Sequence, residues 1–241
     1  APAHVAVVGR AEVHVDGRVM PPDLVVPVTA GQRLRVGAIR GDLRAYVGID
    51  GGVATPTLLG SRSSDTLCGL GPGRLLAGDE LGLGPPGRPH GRLERPAEPA
   101  HGPRVLRVVM GPDPVSDEAG RALGGSTWTV GGASDRVGLR LQGPALDVDA
   151  TDVTSRAMVT GAVQVPPDGS PIVLGCDHAT VGGYPVVAAV VRADLGRLGR
   201  LRPGDEVRFE PVDLPEAARL RAERRRRLDR QVVGWFPIRS G

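Results

Sequence analysis

The sequence predicts a mainly β protein, built as two related β-barrels or sandwiches with a few short helices. Three observations predict it. Short apolar or alternating runs recur along the chain, 36 glycines and 23 prolines punctuate them without forming tracts, and one short motif appears twice. A turn-rich succession of short strands has this composition. At 241 residues the chain can fill one large domain or two modest ones. Its 40% hydrophobic and 24% charged content is ordinary for a globular protein.

The elements follow in order. HVAVV, EVHV, RLRV, LRAYVGI and ELGL precede Gly84 and make residues 1–84 the first β-barrel subdomain. Residues 85–103 are proline-rich, lack apolar periodicity and read as a linker. VLRVV, TWTV, GLRL, MVTGAVQV, PIVLG, VVAAVV and EVRFEPV make residues 104–213 the second subdomain, and 214–241 a C-terminal helix and tail. GRLLAGDEL at 73–81 and GRLRPGDEV at 199–207 form a repeat. In each, Gly supplies a positive φ, Asp caps the turn through its side chain, and a strand follows. GAVQVPPDGSPIVLG, at 161–175, reads as a hairpin closed tightly at Asp168-Gly169. ADLGRLGRL, at 193–201, reads as a short helix capped by Asp194. A further helix starts at Asp213, with Pro215 in its first turn and Glu216 completing a capping box.

Composition excludes several functions. The chain has no lysine, so all 30 basic residues are arginine. A phosphate-loop lysine, a Schiff-base lysine and a biotinylated lysine are therefore absent from this chain. Net charge is only +3. The run RAERRRRLDR at 221–230 carries its own acidic residues and an apolar thread of Ala217, Leu220 and Leu228. It reads as a solvated helix face, not a nucleic-acid footprint, which needs a basic face across a domain. Cys68 and Cys176 are too few for a disulfide framework, and no signal peptide or long apolar span is seen. A reducing cytoplasm is the expected location, with no membrane contact.

Four stretches carry candidate chemistry. GLGPGR at 69–74 lacks a strand–loop–helix setting and reads as a structural turn, not a phosphate loop. The five histidines show no metal spacing, and Cys176-Asp177-His178 is contiguous, so no metal site is expected. GSRSSDT at 60–66 sets hydroxyls around Arg62, which either clamps a carboxylate or phosphate or ties down its own loop. Arg136 and Arg140 in SDRVGLRLQG pose the same choice. CDHATVGGYP at 176–185 offers Asp177, His178, Thr180 and Tyr184 beside Gly182-Gly183, where backbone can approach a ligand. It reads equally as a hydrogen-bonded loop between strands.

AYVGIDGGV, LLGSRSSDT, SDRVGLRLQG, GAVQVPPDGSPIVL, DHATVGGYPVVA and LRPGDEVRF occur here in one order. In that order they resemble the family of allophanate hydrolase subunit 2, which includes the C subunit of 5-oxoprolinase and KipA-like proteins. The family is similar to the biotin-dependent carboxyltransferase region of urea carboxylase. The resemblance runs to about residue 230, and the spacing of QVPPDG, GGYP and PGD carries it.

It implies two cyclophilin-like β-barrel subdomains. It also implies one component of an ATP-dependent amide or lactam hydrolase, which opens 5-oxo-L-proline to L-glutamate together with a KipI-like B subunit and an A subunit. ATP is the implied cofactor, bound with or by a partner. The alternatives are a carboxyltransferase half acting on urea-like amides, with biotin on another chain, and a non-catalytic KipA-like regulator. Carried onto these motifs, His178, Asp177 and Tyr184 become catalytic candidates, His178 as proton carrier. Arg62, Ser61, Gln164, Thr180, Gly182 and Gly183 become substrate-binding candidates. The chain departs from the family at Ala179 and Val181, often polar in relatives, and at Ser155-Arg156-Ala157, commonly Ser-Glu-Gly. The family's opening segment, like TTVQDLGRPG, and its ALE motif are not found, so the first subdomain is expected to be incomplete at its N-terminus.

Overall fold

The computed structural model describes residues 3–20, 25–65, 68–86, 104–149 and 153–232. The chain divides into two compact units, one of residues 1–96 with 231–241 and one of residues 97–230, with its first boundary between Pro96 and Ala97. That boundary, and all of the expected linker beyond Pro86, lies outside the described residues, as does the tail after Val232.

In the first unit, β1 (Ala3–Val8) lies between β4 (Val25–Val28) and β6 (Tyr46–Ile49), while β2 (Ala11–Val15) lies between β3 (Arg18–Met20) and β5 (Leu34–Ile39). These are two antiparallel three-stranded sheets. Alternation along β1 and β2 turns Val5, Val7 and Val13 into a small core with Met20, Val28, Leu34 and Ile49. The hairpin β2–β3 turns through Asp16-Gly17, both at positive φ, a pairing that suits the twist of the flanking strands. The Asp16 carboxylate accepts the Arg33 N–H (2.8 Å) and the Gln32 Nε2–H (2.9 Å), which hold it below the ordinary carboxylate range.

The second unit is a closed barrel. Its strands are β7 (Arg104–Met110), β8 (Thr127–Val130), β9 (Gly138–Gln142), β11 (Ala162–Gln164), β12 (Ile172–Leu174), β14 (Val186–Val190) and β15 (Glu206–Pro211). They run in the order β11-β12-β9-β8-β15-β7-β14, and β14 pairs β11 to close the ring. Only β15 and β7 are parallel. Alternating residues fill the interior: Leu106 and Val108, Trp128 and Val130, Leu139 and Leu141, Val163, Val173, Val187, Val207 and Phe209. Burying each such side chain is worth about 1.5–3 kcal/mol. Trp128 is fully buried, its indole N–H donates to the Leu123 carbonyl (3.3 Å), and a Cβ on Gly143 would come within 2.6 Å of the ring.

A two-stranded ribbon, β10 (Arg156–Ala157) with β13 (Val181–Gly182), stands apart from the barrel ladder. Among the described residues, three helices complete the unit. Helix α1 (Asp117–Gly125) is capped by Ser116, whose Oγ accepts the Ala119 N–H (3.0 Å). Sequence reading missed it, although Ser116-Asp117-Glu118 is a good helix start. Helix α2 is the single turn Leu195–Leu198, and α3 spans Leu214–Val232. None of the described helices is long and apolar enough to cross a membrane.

Two sequence expectations are corrected. Asp194 does not cap α2 with its side chain. Its carboxylate, 1% exposed, instead accepts the Arg107 backbone N–H (3.0 Å), Nε–H (2.8 Å) and Nη2–H (2.6 Å). Burial alone would raise this carboxyl's pKa, but the Arg107 bonds outweigh it and hold it below the ordinary value. The Asp168-Gly169 hairpin is not tight. Val165 to Pro171 separate β11 from β12, and the turn sits within this connection, where the Gly169 N–H donates to the Pro166 carbonyl (2.9 Å). Prolines at 166, 167 and 171 cannot donate to a ladder, so the strands end early.

The reading of the α3 start holds in part. The Asp213 carboxylate accepts the Glu216 N–H (2.8 Å) at the start of α3. Glu216 itself pairs with Arg219, not with the cap backbone. Along α3, Arg219–Glu223 and Arg225–Asp229 are paired, and Leu220 packs on Val191 and Ala193.

Candidate active site

Three barrel strands place a row of unlike side chains on one outer face. Gln164 of β11 stands opposite Ile172 of β12, and Ile172 stands opposite Arg140 of β9. Residues directly opposite across a ladder share a face. Their neighbours Val163, Val173, Leu139 and Leu141 turn into the barrel core, so the row projects outward. An amide, an aliphatic side chain and a guanidinium thus lie in line.

The β10–β13 ribbon covers this row. A cleft of about 350 Å³ lies between them, and its lining includes the row itself, Val181, Gly182, Gly183 and Tyr184, and Asp135, whose Oδ1 is taken up by the Val137 and Gly138 N–H groups (2.8 and 3.1 Å). The Met158 N–H extends the ribbon by donating to the Thr180 carbonyl (2.9 Å). Met158 also packs with Ala162, Ile172, Leu174 and Val186, an apolar cluster outside the barrel core. Gly182 is dictated by approach: a Cβ there would stand 2.8 Å from Gln164 Nε2 and 3.0 Å from Met158 Cγ.

Gln164 is 6% exposed. Its Nε2 donates to the Tyr184 carbonyl (3.4 Å) and lies 3.4 Å from Met158 Sδ. Neither bond uses Oε1, which is thus an acceptor for a ligand N–H. Among the described residues, no ion pair or hydrogen bond engages the Arg140 guanidinium, although Ser134 Oγ accepts its backbone N–H (3.0 Å). A cation and an amide oxygen therefore flank an apolar strip, a pattern suited to a small, partly anionic, nitrogen-bearing ligand.

Gln164, Gly182, Gly183 and Tyr184 of the expected set meet at the cleft. Asp177, His178 and Thr180 do not line it. The Asp177 carboxylate is held in a fork by Arg136, with Nε at 2.6 Å and Nη2 at 3.0 Å. This pairing makes the Arg136 guanidinium harder to deprotonate. His178 Nδ1 donates to the Ala179 carbonyl (2.7 Å), which leaves Nε2 as the acceptor. Thr180 contributes its carbonyl to the ribbon.

Arg62 and Ser61 belong to the first unit. Leu58 and Ser61 exchange backbone bonds (2.8 and 2.9 Å) around Leu59 and Gly60, both at positive φ. The Arg62 guanidinium donates to the Thr55 carbonyl, and the Thr55 hydroxyl returns a bond to the Arg62 carbonyl (3.2 Å). Arg62 therefore ties its own loop. In GLGPGR, a Cβ on Gly71 would meet the Ser63 carbonyl at 2.4 Å, so that glycine serves loop packing.

Sequence reasoning left Arg140 ambiguous and did not single out Ile172 or Met158. The signal for Arg140 was present: in GLRLQ the leucines alternate inward, which sends the arginine out. Its register against Gln164 was not present, because cross-strand pairing is set by partners elsewhere in the chain.

A family model described as carboxyltransferase domain, subdomain A and B, matches residues 1–211. The chain belongs to this carboxyltransferase family. It is similar to the 5-oxoprolinase C subunit of Escherichia coli, 35% identical over 213 residues, covering 83% of this chain and 66% of the relative. It is similar to the corresponding protein of Haemophilus influenzae, 36% identical over 218 residues, covering 86% of this chain and 69% of the relative. The solved structure of the K. lactis urea amidolyase superposes with a TM-score of 0.87 at 25% identity, over 96% of this chain and 16% of that one. The chain thus spans about two thirds of its bacterial relatives and a small part of the yeast enzyme. The resemblance read from the motifs holds. The family's mostly β architecture is seen here in the barrel, and its relatives are subunits or domains of enzyme systems.

Proposed function

We propose that the cleft of the second unit binds the amide or lactam substrate of an ATP-dependent hydrolase, and that the chain acts as the C subunit of a 5-oxoprolinase. The row Gln164–Ile172–Arg140 carries this reading. Neighbouring strands lie ~4.8 Å apart, so Gln164 and Arg140 start roughly 10 Å apart at the backbone and lean in with long side chains. A five-membered lactam fits between them. Its N–H faces Gln164 Oε1, its carboxylate faces the Arg140 guanidinium, and its methylenes lie on Ile172. Tyr184 and the Gly182-Gly183 backbone then stand near the lactam carbonyl, where donors stabilise developing negative charge. His178, beside the cleft-lining Ala179, is our candidate to carry a proton through Nε2.

The chain supplies no lysine for a phosphate loop. The nucleotide therefore belongs to a partner in this reading, either the KipI-like B-subunit homologue or the A-subunit homologue. The test is co-purification with both homologues. 5-Oxoproline should then stimulate phosphate release with glutamate as product. A second reading rests on the extent of the urea amidolyase superposition: a carboxyltransferase half serving biotin held on another chain. Carboxyl transfer to urea, with no response to 5-oxoproline, would replace the first reading with the second. If the chain binds a KipI-like partner and neither reaction occurs, the regulatory role is left.

A further inference from the structure

The ribbon that roofs the cleft is only two residue pairs long, with Arg156 opposite Gly182 and Ala157 opposite Val181. Two pairs cannot fix their own position, since an isolated short hairpin is at best marginally stable in water. Among the described residues, three contacts tie it to the barrel. The Met158 cluster is one, and the Gln164 bond to the Tyr184 carbonyl, long at 3.4 Å, is another. The third is an ion pair, in which Arg156 Nη2 donates to Asp113 Oδ1 at 2.7 Å.

Asp113 uses both oxygens. While Oδ1 takes Arg156, Oδ2 accepts the Val186 N–H at 2.7 Å, at the first residue of β14. The pair is partly sheltered, with Asp113 side-chain exposure at 14% and Arg156 at 34%. One carboxylate therefore grips the roof of the cleft and the barrel strand that follows the Gly-Gly-Tyr-Pro loop. It holds the stretch from Gly182 to Val186 directly at Val186 and, at the other end, through Arg156, which pairs with Gly182, and Tyr184 lies between them.

We infer that Arg156 and Asp113 are positioning residues that set the height of the ribbon over the cleft, and with it the placement of Gly182, Gly183 and Tyr184. Neither residue lines the cleft, so they act through the ribbon. Their importance to catalysis rests on the reading of the cleft as the substrate site. The geometry of the ribbon can be tested without it.

The sequence supplies a reporter, because its only tyrosines are Tyr46, in the first unit, and Tyr184. Protein labelled with 3-fluorotyrosine gives one fluorine resonance from each, assigned with Y46F. In R156Q and in D113N the Tyr184 line should shift or broaden while the Tyr46 line stays. The double variant should add nothing beyond either single one, and R156K should recover most of the wild-type line. D113N serves if R156Q does not fold, because Asn keeps an oxygen for the Val186 N–H while its NH2 replaces the oxygen that accepts from Arg156 and the charge is lost. A Tyr184 line unmoved in the folded variants overturns the inference, as does a general loss of structure that moves both lines together. In an active complex, R156Q should raise KM for 5-oxoproline about tenfold with kcat within about twofold. An unchanged KM beside a moved Tyr184 line would keep the ribbon strut and reject the cleft as the substrate site.

Discussion

In the first unit, Leu76 to Asp79 close the same turn that Arg202 to Asp205 close in the second. The Asp carboxylate accepts the N–H three residues back (2.6 and 2.9 Å), and the Asp N–H donates to the carbonyl there (3.2 and 3.0 Å). Gly78 and Gly204 supply φ of 92° and 88°. A third copy, Thr29 to Gln32, does the same with an amide oxygen and Gly31. The two Asp-closed turns lead to different ends. Beyond Asp205 the chain enters β15, and Val207 and Phe209 vanish into the barrel beside Leu106 and Trp128. Beyond Asp79, among the described residues up to Pro86, only an isolated bridge of Leu83 to Val53 forms, and Leu81 and Leu83 stay exposed. Local chemistry makes the turn, and long-range burial decides whether a strand comes after it.

The contrast extends to the units as wholes. The barrel has a contiguous core that fixes the outer row to a rigid wall. The described part of the first unit buries a handful of valines and leaves Leu59, at 91% exposure, on a left-handed turn. A site that needs fixed geometry belongs on the first kind of scaffold.

Substitutions can break or sharpen this comparison. W128A should cost about 3–5 kcal/mol in denaturant unfolding of the barrel, whereas exposed L76A should stay within about 0.5 kcal/mol. Equal losses would erase the distinction. Next is D194A, which takes the carboxylate from Arg107 of β7. Removing one partner of a buried pair costs about 3–5 kcal/mol, and the partial exposure of Arg107 puts this case at the lower end. Because the folded pKa of Asp194 is depressed, its contribution is complete above the ordinary value of 3.8 and fades as pH falls through the folded value. Wild type should therefore lose stability on acidification more steeply than D194N, measured by unfolding at a series of pH values.

Smaller effects come from the paired turns. Nothing lies within 4 Å of a Cβ at Gly78 or Gly204, so alanine there meets only backbone strain. Each of G78A and G204A should cost about 1 kcal/mol. G204A should lower the barrel's unfolding transition, and G78A should increase hydrogen exchange only in the first unit. A shift of both transitions by either variant would show that the units unfold as one.

The β class, the repeated turn and the cap of α3 were legible because each rests on neighbours in sequence. GAVQV and GLRLQ likewise show which way Gln164 and Arg140 face. Their meeting across Ile172 was not legible, since no local rule sets the register of β11, β12 and β9. The role of Asp194 was misread for the same reason: an Asp before a helical turn looks like a cap, and its partner Arg107 lies 87 residues away. Asp113 gave no signal beyond a Gly-Pro-Asp-Pro turn, though it holds both the ribbon and β14.

The central claim is that the outer row of the barrel, and not the Arg62 loop, anchors the substrate carboxylate. Calorimetric titration of 5-oxo-L-proline into the assembled complex, carrying wild-type chain, R140Q or R62Q, tests it most directly. Loss of a hydrogen bond to a charged group is worth about 1.5–3 kcal/mol, so R140Q should weaken binding roughly 10- to 100-fold and R62Q should leave it near wild type. Full affinity in R140Q with binding lost in R62Q would contradict the account.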